Sequence, residues 1–216
     1  MAIEQYQREF IKHAIDLGVL KFGTFELKSG RISPYFFNAG LFYQASSISK
    51  LSQCYAASIQ SWNLDYDIVF GPAYKGIPLA CSTVVALYTG YNIDKPFSYN
   101  RKEKKDHGEG GSIVGAPLNG KVLIIDDVIT AGTAIRESLD LIKNSSAEAV
   151  GVIVAVDREE KGKGELSAIQ ELAKERNLPV RAIVTISQII EYLKEVGGYD
   201  ETIVKMEEYL EKYKCC

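Results

Sequence analysis

The sequence predicts an α/β fold: a doubly wound, mainly parallel five-stranded sheet flanked by helices, with a small β-rich hood at the N-terminal end. Three observations predict it. Short apolar, β-branched segments such as Val122-Leu-Ile-Ile125 and Val150 to Val156 carry no polar alternation, so they belong in a sheet covered on both faces. Segments of helical periodicity separate them, and such alternation gives right-handed crossovers and a parallel sheet. Residues 19 to 43 follow neither pattern: aromatic and polar residues alternate there, broken by Gly23, Gly30 and Pro34.

Taken in order, residues 3 to 17 form an amphipathic helix, with Ile3, Phe10, Ile11, Ala14 and Leu17 on one face and Gly18 ending it. Residues 19 to 43 are short strands and turns. Ser46 or Ser47 caps a second helix that reaches about Ser61. Asp67 to Phe70 is a buried strand, and a helix follows from about Gly76 to Tyr88, with Pro78 in its first turn. Phe97 to Asn100 is a strand; residues 101 to 116, charged and glycine-rich, read as a long loop. Then come a central strand (Lys121 to Asp126), a helix (Thr133 to Asn144), a strand (Val150 to Val156), a charged helix (about Gly164 to Arg176) and a last strand (Val180 to Ile186). Two helices, about Ser187 to Glu195 and Asp200 to Lys212, close the chain. The 216 residues show no internal repeat and no linker, which fits a single domain over 1–216. Within it we distinguish an N-terminal helix and hood (1–45), a core (65–190) and a loop (101–116).

Bulk properties exclude several classes. The chain is 46% hydrophobic and 25% charged, with a formal charge of 25 − 28 = −3. So mild an acidity does not suit coating nucleic acid or an anionic membrane, and makes the basic clusters local tools. No apolar run is long enough to span a bilayer, and the segment Met1-Ala-Ile-Glu-Gln-Tyr6 lacks a signal-peptide core, so a cytoplasmic location is expected. Of the four cysteines, no pair has metal-ligand spacing and only His13 and His107 could assist, which argues against structural zinc. Cys54 and Cys81 lie in apolar helical patterns and read as core residues. Cys215-Cys216 does not make the four-residue prenylation box and reads as a frayed thiol tail.

The richest segment runs from Val122 to Ala134. An apolar strand ends in Asp126 and Asp127, at the edge where open α/β sheets bind ligands. The turn Val128-Ile129-Thr130-Ala131-Gly132-Thr133 is small and hydroxyl-rich, Gly132 lets a ligand approach the backbone, and a helix starts at about Thr133. Its amides and helix dipole make a phosphate cradle, while the twin carboxylates can accept hydrogen bonds from sugar hydroxyls. An ordinary strand-turn-helix connection explains the turn but not two adjacent acids.

Further features are weaker alone. Arg101-Lys102-Glu-Lys-Lys105-Asp-His107-Gly-Glu-Gly-Gly111 concentrates cations before a histidine and glycines. Alone it reads as a solvated hairpin tip; beside a phosphate cradle it reads as a lid that folds over a diphosphate, excludes water and neutralises a leaving group. His107 is the candidate proton donor. Gly71-Pro-Ala-Tyr74-Lys75-Gly76 is another turn before a helix, with Lys75 either a solvated cap or an anion contact. Gly115 to Val122 nearly matches a P-loop, but Val122 stands where the hydroxyl should be and the Gly-Lys pair precedes a strand instead of following one. Lys28 and Arg31, among Phe25, Tyr35, Phe36 and Phe37, suit a flat anionic ring, though some of these aromatics must pack on the domain.

These motifs together carry a resemblance. Asp126 to Thr133 resembles the phosphoribosyl-diphosphate (PRPP) motif of type I phosphoribosyltransferases. Leu27-Lys-Ser-Gly-Arg31 with Ser33 to Asn38, the 101–111 run and Asp157-Arg158 are similar to orotate phosphoribosyltransferases, in order from about residue 20 to 160. The resemblance implies the type I phosphoribosyltransferase fold and transfer of a phosphoribosyl group to orotate in pyrimidine (UMP) synthesis. It implies that Lys28, Tyr74, Lys75, Arg101, Lys102, Lys105, His107 and residues 126 to 134 (Asp126, Asp127, Val128, Ile129, Thr130, Ala131, Gly132, Thr133, Ala134) bind PRPP. Arg101, Lys102, Lys105 and His107 would form the mobile catalytic lid, and Lys28, Phe36, Phe37, Thr130 and Arg158 would meet orotate. It further implies magnesium (Mg2+), held mainly through PRPP and water-bridged at most to Asp126 and Asp127, and a homodimer whose lid enters the neighbouring subunit's site. The rival expectation is a non-catalytic PRPP sensor, which the cationic lid and the lack of a basic face disfavour.

Overall fold

The computed structural model describes residues 2–27, 29–105, 111–129, 132–162 and 164–215; of Lys104 and Lys105 it describes the backbone alone. The chain runs α1 (Gln5–Asp16), β1 (Leu20–Glu26), β2 (Ile32–Phe37), α2 (Ala45–Trp62), β3 (Ile68–Gly71), α3 (Gly76–Tyr91), β4 (Phe97–Lys105) and β5 (Gly111–Gly115). It continues with β6 (Lys121–Ile125), α4 (Thr133–Asn144), β7 (Glu148–Asp157), α5 (Ala168–Arg176), β8 (Val180–Thr185), α6 (Ile186–Val196) and α7 (Asp200–Tyr213). Among the described residues the main sheet has the order β5-β4-β3-β6-β7-β8, and all its pairings are parallel except β4 with β5. β1 and β2 pair antiparallel as a separate hood.

The apolar strands are covered on both faces, as their composition requires. Along β6, Val122 and Ile124 enter one core with Leu139 and Ile142 of α4 and Leu172 of α5. Leu123 and Ile125 enter the opposite core with residues of α1, α2, α3, α6 and α7. Alternate side chains of one strand thus anchor two helical layers. Cys54 lies in the second core, and burial pushes its thiol up to about 12, which leaves it unreactive.

Five expectations need correction. The sheet has six strands where the sequence reading counts about five, because β5 adds an antiparallel edge. The stretch read as a loop over 101–116 supplies the arms of that β4–β5 hairpin, since β4 runs on beyond its pairing with β3 at Phe97 to Tyr99 and pairs there with β5 alone, where charged side chains can stay solvated. Gln44, not Ser46 or Ser47, stands at the N-cap of α2, with its N–H donating to Ser47 Oγ at 3.1 Å. The charged helix begins at Ala168, not Gly164, because Ser167 Oγ accepts from Gln170 N and fixes the start. Cys81 likewise is exposed, on the outer face of α3, and is no core residue.

Candidate functional site

The site gathers at the carboxyl ends of β3, β6 and β7. β3 leads into a turn that needs two glycines: a Cβ at Gly71 would lie 2.1 Å from the Gly76 carbonyl oxygen, and one at Gly76 would lie 2.6 Å from Pro72 Cδ. Asn100 of β4 closes this turn, its Oδ1 accepting from Ala73 N at 2.8 Å in a buried position. The turn presents Tyr74, which is exposed, and Lys75, whose Nζ lies 2.7 Å from Asp127 Oδ2.

Asp126 and Asp127 follow β6 directly and are both buried. Asp126 Oδ1 accepts from Asp127 N and Asp127 Oδ1 accepts from Val128 N, each at 2.9 Å. Tyr55 of α2 donates its hydroxyl to the Asp126 carbonyl at 2.8 Å, which pins the strand end. Burial, and next the charge of Asp127, raise the Asp126 carboxyl to about 6, against the lowering effect of the Asp127 N–H and Lys75. Asp127 thus carries the direct cationic partner, and Asp126 is the acid that burial raises.

Gly132 takes a left-handed φ of 70° at the N-cap of α4 and, as a glycine, has no side chain to cap the helix. The first-turn amides are left for an anion, in the field of the helix dipole. A cavity of about 120 Å³ opens there, lined by Asp126, Val128, Ile129, Gly132, Thr133 and Ala134. A larger groove of about 740 Å³ between α6 and α7 shares none of these residues; its acids, Glu191, Glu207 and Glu211, come from helices and no glycine lines it. Lys102 of β4 reaches Glu137 of α4 at 3.5 Å, which brings the hairpin arm against this helix.

Phe36 and Phe37 face opposite ways from β2. Phe36 is exposed and stacks on Phe25 with ring centres 5.6 Å apart, whereas Phe37 packs inward against Phe10. Arg158, just past β7, is half-buried; its guanidinium carbon stands 4.5 Å from the centre of the Tyr35 ring. It donates to Glu160 Oε1 through Nε at 3.0 Å and Nη2 at 2.6 Å. Lys75, Asp126, Asp127 and the cradle are thus brought together, and Arg158 joins the hood to the same sheet edge. Lys28, His107, Thr130, Ala131 and the side chain of Lys105 lie outside the described residues. Sequence reading missed Asn100, Tyr55 and Glu160. A polar residue closing an apolar strand was the available signal for Asn100; the other two carry none.

Among the described residues, no group of three or more His, Cys, Asp or Glu could hold a metal ion. The acids fit hydroxyl groups or metal-bound water, and do not form an all-protein cage.

A strand-end acid pair followed by a glycine-shaped anion turn defines a phosphosugar-binding transferase class. The phosphoribosyl transferase domain family matches residues 45–178. The chain belongs to the phosphoribosyltransferase family, among its orotate phosphoribosyltransferases. It is 59% identical over 214 residues to orotate phosphoribosyltransferase of Marinobacter nauticus, covering 98% of this chain and 99% of that protein. It is 55% identical over 211 residues to that of Pseudomonas putida strain KT2440, again 98% and 99%. The crystal structure of orotate phosphoribosyltransferase from Francisella tularensis superposes with a TM-score of 0.87 at 45% identity, over 95% of this chain and 98% of that one.

Proposed function

We propose that this chain transfers the 5-phosphoribosyl group of PRPP to orotate, giving orotidine 5′-phosphate and pyrophosphate, the penultimate step in making UMP. The observation that carries the reading is the buried Asp126–Asp127 pair beside an uncapped, glycine-started helix, in a chain whose near full-length relatives bear the name of that enzyme.

The reaction is a displacement at an anomeric carbon. Positive charge develops on the ribose and negative charge on the departing pyrophosphate, and a site works by stabilising both. Asp126 and Asp127 accept from the ribose hydroxyls, and their charge favours the cationic sugar. The amides from Val128 to Ala134 hold the 5′-phosphate. Tyr74 and Lys75 contact the diphosphate. Asp126 and Asp127 would hold magnesium only through water, and the ion would supply positive charge against the leaving group. Arg101, Lys102, Lys105 and His107 close as a lid, and His107 gives the proton to pyrophosphate. Lys28, Phe36, Phe37, Thr130 and Arg158 hold orotate, with the guanidinium paired to its carboxylate.

The working unit is a homodimer in which the hairpin tip serves the neighbouring site. α3 supports this: Cys81, Val85 and Tyr88 lie exposed on one face, and no charged residue occurs from Gly76 to Tyr91. We place the enzyme in the cytoplasm; among the described residues no helix is long and apolar enough to cross a membrane.

The test follows orotate absorbance in the ultraviolet with PRPP and magnesium, against hypoxanthine, adenine and uracil as acceptors. Orotate is expected to be consumed and the others to give little; turnover with a purine alone refutes the assignment of the base. Lys105→Ala is expected to lower kcat far more than it weakens orotate binding, and equal turnover rejects the lid.

A further inference from the structure

Arg158 does not stand alone at the hood. A single oxygen, Oε1 of Glu160, accepts from Arg158 Nε at 3.0 Å, from Arg158 Nη2 at 2.6 Å and from the Tyr35 hydroxyl at 2.6 Å. Tyr35 is fully buried, and its ring forms the floor on which the guanidinium lies. Ser33 Oγ is a further acceptor for Nη2 at 3.4 Å. On the other side, Arg31 Nη1 lies 3.8 Å from Glu160 Oε2, while Arg31 donates to the carbonyls of Lys161 and Gly162 at 2.8 and 3.3 Å. The buried Tyr209 hydroxyl lies against both Arg158 and Glu160 without an aligned hydrogen bond, and the bonds that Arg158 makes among the described residues run through Nε and Nη2.

We propose that Glu160 is a positioning residue for the acceptor: it clamps Arg158 flat on Tyr35 through Nε and Nη2, so that the Nη1 side of the guanidinium is presented to a planar carboxylate. This rests on the reading of Arg158 as the orotate contact. A free arginine carries several rotatable bonds, and freezing them on binding costs affinity. Glu160 and Tyr35 impose that order during folding, before the ligand arrives. A bare buried carboxylate would be costly, and the three donors on Oε1 together with Arg31 offset that cost. The clamp also binds β2 of the hood to the segment after β7, so the acceptor site is set by two regions far apart in sequence.

The experiment varies orotate and PRPP separately in Glu160→Ala, Glu160→Gln, Arg158→Ala and the double variant Arg158→Ala/Glu160→Ala. Losing the clamp is expected to raise the orotate KM of Glu160→Ala about 10- to 100-fold, with the PRPP KM nearly unchanged. Glu160→Gln keeps an acceptor oxygen of the same shape and is expected to recover most of the loss. The double variant is expected to be no worse than Arg158→Ala, since the carboxylate acts through the guanidinium. Equal rises in both KM values, failure of glutamine to rescue, or additive losses overturn the proposal. Should Glu160→Ala not fold, Tyr35→Phe removes one of the three bonds, and a smaller rise in orotate KM alone is expected. The outcomes separate the two readings. A rise in Arg158→Ala without one in Glu160→Ala overturns the clamp alone, whereas an unchanged Arg158→Ala removes the orotate contact itself and the clamp with it.

Discussion

The ammonium of Lys75 lies 2.7 Å from Oδ2 of Asp127 and joins the turn after β3 to the end of β6. The lysine side chain is 63% exposed and the aspartate 9%. Solvent screens such a pair, so it contributes at most about 1 kcal/mol to stability. Its chemical consequence is larger. On the proposed reading, the ammonium that balances Asp127 is also the group that meets the diphosphate of PRPP. Lys75→Ala is therefore expected to raise the PRPP KM about tenfold while unfolding free energy falls by no more than about 1 kcal/mol. Steady-state kinetics and urea denaturation check the two halves. Unchanged PRPP kinetics would assign the lysine to structure.

Asp126 sets a pH dependence of stability. Its carboxyl is raised to about 6 by burial first and by Asp127 second. The native state therefore keeps a proton that the unfolded chain releases near ~3.9. Stability from this group is fully present below the unfolded value and is lost as pH rises through about 6. Asp126→Asn cannot ionise, so its advantage over the wild type is expected to grow from near zero at pH 4 to about 3 kcal/mol at pH 8. Denaturation curves at pH 4, 6 and 8 measure it. A difference that does not grow with pH would contradict the burial argument, and the variant is expected to lose PRPP affinity all the same.

The outer face of α3 bears on assembly. Val85 and Tyr88 are 56% and 57% exposed, a turn apart on a helix without charge. In the proposed homodimer, a charge placed there is expected to separate the subunits without unfolding the chain. Sedimentation of Tyr88→Glu should show monomer with native circular dichroism and greatly reduced turnover. A wild type that sediments as a monomer at assay concentration would remove the shared lid.

Much of the fold is legible in the sequence because its strongest signals are local. The run Val122 to Ile125 could only be a doubly covered strand, and the start of α4 at Thr133 follows from Gly132. What stayed hidden depends on distant partners. Phe36 and Phe37 are neighbours of one residue type, and only the pairing of β2 sends one outward and the other against Phe10. Cys81 sits in an apolar helix like Cys54, but its exposure depends on what covers α3. The extension of β4 to Lys105 rests on pairing with Gly111, which no residue of the cationic run announces. Glu160 carries no signal in the sequence, because a glutamate near an arginine is ordinary and only the fold brings Tyr35 of the hood to the same oxygen.

The central claim is that the turn after Asp127 holds the phosphoribosyl donor. Gly132 takes a φ of 70°, a conformation that L side chains rarely adopt, so a branched side chain there strains the turn without replacing either acid. Calorimetric titration of PRPP with magnesium into the wild type and Gly132→Val is the most direct measurement. The account predicts one PRPP per chain in the wild type and at least about tenfold weaker binding in the variant. Equal affinity in the two proteins would contradict it.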